Sequence, residues 1–154
     1  MSWLEALIMF LASTIGAGGA TVTEQADRIT PPDTTIAVES TLPTAPAELT
    51  GCDEMHWYRV EVGLPEIFDR IGYRESRCRN DVTSSTGCCV GWWQNYISSH
   101  LSAASAYRAP IIALCGVTTR AQILGNTPEQ KWAQACVTLV VWTISGLSPW
   151  ALTS

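Results

Sequence analysis

Apolar residues recur at helical spacing over residues 64–78, and the rest of the chain is organised around this stretch. On a helix, residues three or four positions apart form one stripe: Leu64, Ile67, Phe68, Ile71, Glu75 and Cys78. Pro65 falls at an early helical position, where its missing N–H does no harm. Glu75 is the only acid in the stripe. The pattern therefore predicts a helix that turns one carboxyl group toward the core.

A carboxyl group on an apolar stripe suggests a chemical role. Burial penalises the charged form of an acid. A carboxyl group that stays protonated near neutral pH can act as a general acid, and this is the role we expect for Glu75. In the alternative, Glu75 lies at the rim of the stripe and pairs with Arg74 or Arg79, because ion pairs also form without catalytic function. The residues alone leave both interpretations open.

The other periodic segments predict short helices. Asp53 is a candidate cap for a helix over 54–61 that ends at Gly63. A polar, turn-rich stretch over 79–87 predicts a loop or a small hairpin. Three further short helices are expected, over 98–107, 110–116 and 118–124. The predicted fold is mainly α, made of several short helices with at most a small β element.

The last helix has the clearest start and end signals. Thr127 and Gln130 form a capping box, and Pro128 occupies the first helical position. Gly146 is a typical residue at a helix end, and Pro149 prevents the helix from resuming. We therefore predict a helix that runs from Thr127 to Gly146.

Composition divides the chain into three parts. Residues 1–20 are apolar and end in small residues, as a signal peptide does, but they include Glu5 and no Lys or Arg, so a hydrophobic anchor is the alternative. Residues 21–50 hold eight Thr and four Pro, which is typical of an extended linker. Residues 51–154 carry the folded, catalytic domain.

Charge and cysteine content restrict the class of protein. Residues 1–50 hold six acids and one Arg, whereas residues 51–154 are neutral, so nothing indicates nucleic-acid binding. Six cysteines in 154 residues indicate an oxidising compartment and a disulfide framework with 15 formal pairings. No Cys-x-x-Cys pair occurs, and His56 and His100 lie outside zinc-ligand spacing, so we expect no metal and no cofactor.

Three motifs then appear in a fixed order. The first is Arg74-Glu75-Ser76-Arg77-Cys78, the second is Gly91-Trp92-Trp93-Gln94, and the third is Gly146-Leu147-Ser148-Pro149-Trp150. Together with Cys52, this set resembles the lysozyme-like, lytic transglycosylase superfamily, in particular its actinobacterial and phage domains. The resemblance spans about residues 52–150.

The resemblance implies a fold, a function and a site. The fold would be a lysozyme-like α+β domain of short helices, stapled by disulfides. Glu75 would protonate the glycosidic oxygen between N-acetylmuramic acid and N-acetylglucosamine in peptidoglycan, and Gln94 would line the cleft with Ser76. The chain departs from the family where Trp92-Trp93 replaces Leu-Met, where Asn95-Tyr96 replaces Ile-Asn, and where Val141-Trp142 stands in place of Tyr-Asn. These departures change the cleft contacts rather than the acid.

The aromatic residues have two interpretations, sugar stacking or core packing. We expect Trp93 and Tyr96 to face the cleft, and Trp132, Trp142 and Trp150 to pack in the core. Among the packing residues, Trp142 is the one expected to approach the acid and the substrate.

For the cysteines, Cys52 with Cys78 would join the first helix to the end of the catalytic helix, and Cys115 with Cys136 would join the short helices to the last one. Cys88 and Cys89 remain. Adjacent cysteines pair only under strain, and a different partner for either would change the other pairs.

Counting carboxylates favours a single-acid mechanism. Ordinary glycoside hydrolysis uses two carboxylates, and Asp81 is the only other acid between Glu75 and Glu129. Asp81 lies in the turn-rich stretch, where aspartates usually form turns. A lytic transglycosylase needs only one acid, because a hydroxyl of the substrate attacks and leaves a 1,6-anhydro product.

Two other classes of protein stay open at this point. One is an inactive glycan-binding or structural module with the same fold. The other is a virion or envelope component that residues 1–20 attach to a membrane or an assembly. The expected location is secreted or in the cell envelope, or on a phage particle.

Overall fold

The described part of the chain is mainly helical, as its periodicity predicts. The computed structural model describes residues 42–151, so the expectations for residues 1–20 and 21–41 concern residues outside that range. Within it lie five α-helices and two 3₁₀-helices: α1 Gly51–Val62, α2 Ile67–Ser76, α3 Ile97–His100, α4 Arg108–Cys115, a 3₁₀-helix Arg120–Ile123, α5 Pro128–Ser145 and a 3₁₀-helix Ser148–Trp150.

Helix α5 begins and ends where the sequence signals place it. The Thr127 hydroxyl accepts a hydrogen bond from the Gln130 backbone N–H at 3.3 Å, and the Gln130 side chain accepts one from the Thr127 N–H at 3.2 Å. The capping box is thus confirmed, with Pro128 as the first helical residue and Gly146 after the last. Helix α5 packs against α1, α4 and the first 3₁₀-helix, so it is the element that most others share.

The first two helices differ from prediction at their ends. Helix α1 starts at Gly51, and Asp53 lies inside its first turn, so the expectation that Asp53 caps the helix is wrong. Helix α2 is shorter than predicted. It starts after Pro65 and ends at Arg77, whose left-handed backbone (φ 56°) interrupts the helical turn.

The helix predicted over 98–107 is mostly absent. Helix α3 stops at His100, and the chain continues in turns to Tyr107. The reason is visible in the sequence: the exposed run 102–104 consists of Ser and Ala and offers no apolar face to bury. The stretch 118–124 forms a single 3₁₀ turn with its own capping box from Thr119 and Gln122.

A small β element follows α2, in agreement with the predicted fold class. Isolated antiparallel bridges join Thr83 to Val90 and Val90 to Asn95. Val90 exchanges both backbone hydrogen bonds with Asn95, at 2.9 and 3.1 Å. The loop after Cys78 therefore folds back on itself and brings residues 91–94 into a tight turn.

All six cysteines are paired. Cys52 bonds Cys78 with Cα atoms 4.9 Å apart, and Cys115 bonds Cys136 with Cα atoms 5.7 Å apart, so both expected pairs are present. Cys88 and Cys89 bond each other, so neither of them bonds a cysteine elsewhere in the chain. The first bridge joins the start of α1 to the residues that end α2, and the second joins α4 to α5.

The end of the expected linker belongs to the folded unit. Ala45 packs against the core, and residues 44–50 line one side of a concavity of about 350 Å³. Glu54 and Lys131 form an ion pair of 2.6 Å in its wall. Residues of the expected linker that lie near Thr50 therefore contact the folded domain.

His100 ends α3 in a position with little access to water. Its side chain lies against Tyr107, with ring centres 4.7 Å apart, and the residue is 9% exposed. Within residues 42–151, its Nδ1 is buried and has no hydrogen-bond partner. Burial lowers the pKa of His100 below its ordinary value of 6.5.

This burial predicts an acid-sensitive fold. Below about pH 6.5 the unfolded chain binds a proton at His100 that the folded protein binds less well. The free energy of unfolding should therefore be undiminished above that pH and fall as the pH drops through it. Denaturant titrations between about pH 8 and pH 5 would measure this slope. His100→Gln should flatten it, and an equally steep slope in that variant would contradict the assignment.

Candidate functional site

Glu75 lies in the last turn of α2, at the edge of the buried stripe. Leu64, Phe68, Ile71 and Cys78 are buried, so the predicted core face is confirmed. The side chain of Glu75 is 16% exposed. The acid is thus neither enclosed in the core nor open to solvent on all sides, which is the rim position that the alternative interpretation of the sequence expected.

Arg74 is the side chain that links Glu75 to the rest of the structure. Its Nη2 and Nε donate to Glu75 Oε1 at 2.8 and 3.1 Å. The same Nη2 donates to the backbone carbonyl of Trp150 at 2.7 Å. The acid is therefore paired with Arg74, as the alternative interpretation expected, whereas Arg79 instead lies 3.9 Å from Asp81.

Three indole N–H groups hold the Gly91–Gln94 motif in place. Trp150 Nε1 donates to the carbonyl of Trp93 at 2.8 Å, and Trp93 Nε1 donates to that of Phe68 at 2.8 Å. Trp92 Nε1 donates to the carbonyl of Cys78 at 3.2 Å. The three motifs of the sequence thus meet in space: Arg74 joins the first to the third, and Trp150 joins the third to the second.

Trp93 does not face a cleft. The residue is 0% exposed, with its ring edge-on to that of Phe68. The expectation that Trp93 stacks on a sugar is therefore wrong. The physical reason is that an indole this large adds more stability in the core than on a surface, provided that its N–H has a partner, here the Phe68 carbonyl.

Ser76 also has an internal role. It is buried, its hydroxyl donates to the Gly72 carbonyl at 3.0 Å, and it accepts from the Arg79 N–H at 3.2 Å. Both contacts stabilise the end of α2. The structure thus gives Ser76 a structural position instead of the substrate-side position that was expected.

Three of the expected substrate-side residues keep accessible surface. Gln94 is half-buried in a left-handed backbone conformation (φ 49°), and its Nε2 donates to the Gly91 carbonyl at 3.0 Å. Tyr96 is 50% exposed. Trp142 is half-buried and packs edge-on against Phe68, as its predicted packing role requires. Trp150 is buried and Trp132 packs partly buried on the core, as expected for both.

A buried polar network positions the turn that carries Gln94. Gln134 is 0% exposed; its Oε1 accepts from the Trp92 N–H at 3.1 Å, and its Nε2 donates to the Asn80 carbonyl at 2.8 Å. One helical turn later, Thr138 accepts from Asn95 at 2.9 Å. The sequence patterns did not identify these residues as part of the site. The available signal was a pair of polar residues four apart on the apolar face of α5.

The concavity described above does not belong to this site. It is lined by residues 44–50 and by residues of α1 and α5, and Glu75 is not among the residues that line it. Within residues 42–151, no three His, Cys, Asp or Glu side chains are grouped to hold a metal ion. The chemical groups that the structure places together at the end of α2 include the Glu75 carboxyl group and the Arg74 guanidinium.

Comparison of the chain with models of protein families, with curated proteins and with solved structures gives no match.

The contact between Gly91 and Gln134 makes a testable prediction. A Cβ at Gly91 would overlap the side-chain amide of Gln134, and the backbone there has φ 80°. Gly91→Ala should destabilise the fold by about 3 kcal/mol, from backbone strain and a broken buried network. At Gly87, φ is 73° and a Cβ would meet no atom within 4 Å. Gly87→Ala should therefore cost only about 1 kcal/mol. Equal denaturation midpoints for the two variants would contradict the network.

The indole contacts predict a second difference between matched variants. Trp150→Phe keeps an aromatic ring but leaves the buried Trp93 carbonyl without its donor, at a cost of about 1–3 kcal/mol on top of the smaller ring. Trp142 donates no hydrogen bond within the described residues, so Trp142→Phe should cost clearly less. Thermal and denaturant unfolding would measure both, and the opposite order would show that the indole N–H of Trp150 is not important.

Proposed function

We propose that this protein cleaves peptidoglycan glycan strands as a lytic transglycosylase or lysozyme, with Glu75 as the single catalytic acid. One observation carries the proposal: Glu75 stands at the end of α2, partly shielded, within a group of contacts that brings the three sequence motifs together through Arg74 and Trp150. Such an arrangement holds an acid at a fixed place beside a surface, which proton transfer requires.

The proposed mechanism uses Glu75 twice. In our proposal the carboxyl group of Glu75, held by Arg74, delivers its proton to the glycosidic oxygen. The glycosidic bond then breaks, and the Glu75 carboxylate takes the proton of the C6 hydroxyl as that oxygen attacks the anomeric carbon. The products are a 1,6-anhydro sugar and a new chain end. If water attacks instead of the hydroxyl, the same acid performs a hydrolysis.

Arg74 has a defined role in this proposal. Its bond to the Trp150 carbonyl keeps the guanidinium in place whether or not Glu75 is charged. It therefore stabilises the carboxylate formed after proton donation, and its own position does not depend on the charge of Glu75.

Asp81 does not act as a second carboxylate in this proposal, because its side chain is 51% exposed and lies near Arg79.

The disulfides support a location outside the cytoplasm. Three disulfides in a small domain are typical of oxidising compartments. Among the helices described between residues 42 and 151, none is long and apolar enough to cross a membrane. We propose a secreted protein or a component of the cell envelope or of a phage particle, held near the wall by residues 1–41.

A second candidate function is an inactive glycan-binding or structural module with this architecture. Two observations favour it: Trp93 is enclosed in the core, and Glu75 does not line the concavity formed by the segment before α1 with α1 and α5. Such a module would bind isolated cell walls and release no muropeptides over the whole range from acid to mildly alkaline pH.

Glu75→Gln tests the proposal directly. The substitution keeps the size and the hydrogen bonding of the side chain but removes its proton transfer, so lysis of cell-wall suspensions should fall at least about a hundredfold. Glu61→Gln is the matched control, because Glu61 is exposed on α1 and should tolerate the same change. Unfolding curves would verify that both variants fold.

The outcome separates the candidates. Mass analysis of the released muropeptides should show anhydro ends for a transglycosylase and reducing ends for a hydrolase. Undiminished lysis by Glu75→Gln would refute the assignment of the acid, and the absence of any release by the unaltered protein would favour the binding module.

A further inference from the structure

Positive charge is concentrated on one short segment of the domain. Residues 70–79 contain four arginines and one acid, a net charge of +3. The remainder of residues 42–151 contains four cations and eight acids, a net charge of −4. The domain as a whole is nearly neutral, so this separation of charge marks a local surface rather than a basic protein.

The geometry of α2 arranges these groups in a row. Arg70, Tyr73, Arg74 and Arg77 are spaced at i, i+3, i+4 and i+7, and all four are exposed. Arg70 and Arg74 lie one turn apart on α2, about 6 Å along its axis, and Arg77 is the first residue after the helix. Arg77 lies over the ring of Tyr73, with its guanidinium carbon 4.7 Å from the ring centre, and Tyr73 is 54% exposed. We call this row the arginine–tyrosine face.

Two of the three charges of this face, those of Arg70 and Arg77, are available to a partner, whereas Arg74 is paired with Glu75. Of the five ion pairs found within residues 42–151, none involves Arg70 or Arg77. A helix dipole favours cations in the last turn, which accounts for Arg74 and Arg77. It disfavours a cation in the first turn, where Arg70 lies. Helix stability therefore does not explain Arg70.

We propose that the arginine–tyrosine face binds a linear glycopolymer with phosphodiester groups, attached to the peptidoglycan that the protein is proposed to cleave. Guanidinium groups bind phosphate with paired hydrogen bonds, and an exposed tyrosine ring offers a flat surface to a sugar. A row of cations along a helix matches a polymer whose negative charges repeat along its length. The inference rests on the proposed function, since the polymer would hold the acid close to its substrate.

The net charge of the remaining surface argues against nucleic acid as the partner. A domain that carries −4 outside the arginine–tyrosine face would repel a duplex on every side but one. A flexible wall polymer, in contrast, can contact a single row of residues and avoid the rest.

The test measures binding of the full chain to purified sacculi before and after hydrofluoric acid removes the phosphodiester polymer. Removal should weaken binding about tenfold, and Arg70→Gln with Arg77→Gln should weaken binding to untreated sacculi by about the same factor. Binding of the double variant should also depend less on salt. Tyr73→Leu should weaken binding without a change in charge.

Arg108→Gln is the matched control, because Arg108 is exposed at the start of α4 and lies outside the arginine–tyrosine face. It should bind like the unaltered protein. The inference is overturned if the double variant binds untreated sacculi as tightly as the control, if hydrofluoric acid treatment has no effect, or if a DNA duplex displaces the protein as well as the released polymer does.

Failure of this inference is distinguishable from failure of the proposed function. The Arg70→Gln, Arg77→Gln double variant should release muropeptides from treated sacculi at the unaltered rate, and Glu75→Gln should still bind untreated sacculi. Full lysis by Glu75→Gln would overturn the catalytic proposal while the binding results stood. Unchanged binding by the double variant would overturn this inference while the catalytic result stood.

Discussion

The structure depends on tryptophan N–H groups that find backbone carbonyls inside the core. Trp92, Trp93 and Trp150 are buried, and each donates to a carbonyl that no regular sheet or helix would bring near it: Cys78, Phe68 and Trp93. Burial of the rings supplies apolar stabilisation, and the N–H bonds restrict how the rings can be placed. A core of similar size made from aliphatic residues would lack that restriction.

This constraint explains how a domain with so little β structure positions a functional turn. Residues 91–94 are held from one side by the indoles and from the other by Gln134 and Thr138 of α5. The Cys52–Cys78 bridge fixes the far end of α2 to α1. The surroundings of Glu75 are thus determined by buried contacts, which is the kind of support that a site needs if its geometry is to persist during a reaction.

Helix α2 combines three surfaces in ten residues. Its apolar stripe builds the core, Glu75 lies at the edge of that stripe, and the arginine–tyrosine face points away from it. The core, the proposed catalytic acid and the proposed wall contact are therefore held in a fixed relation by α2 and the residues at its end. A change in the position of α2 would alter all three together, which makes the contacts at its two ends the most sensitive part of the domain.

Local signals in the sequence determined the helices, the capping box of α5 and the buried stripe of α2, because these depend on residues within one or two turns of one another. The resemblance of motifs also indicated the Cys52–Cys78 disulfide, and the predicted order of helices suggested the Cys115–Cys136 pair. The same signals predicted too long a helix after Ile97, because a run of Ser and Ala has adequate helix propensity but no apolar face to bury.

Only the tertiary structure decided which side of the chain each aromatic and polar group would face. The sequence favoured a cleft position for Trp93 and a substrate-side position for Ser76. The structure instead buries Trp93, whose N–H donates to the Phe68 carbonyl, and gives Ser76 two contacts at the end of α2. The contact of Arg74 with Trp150 joins residues 76 positions apart. No periodicity reaches across that distance, because such a contact exists only when the core between the two residues has already packed.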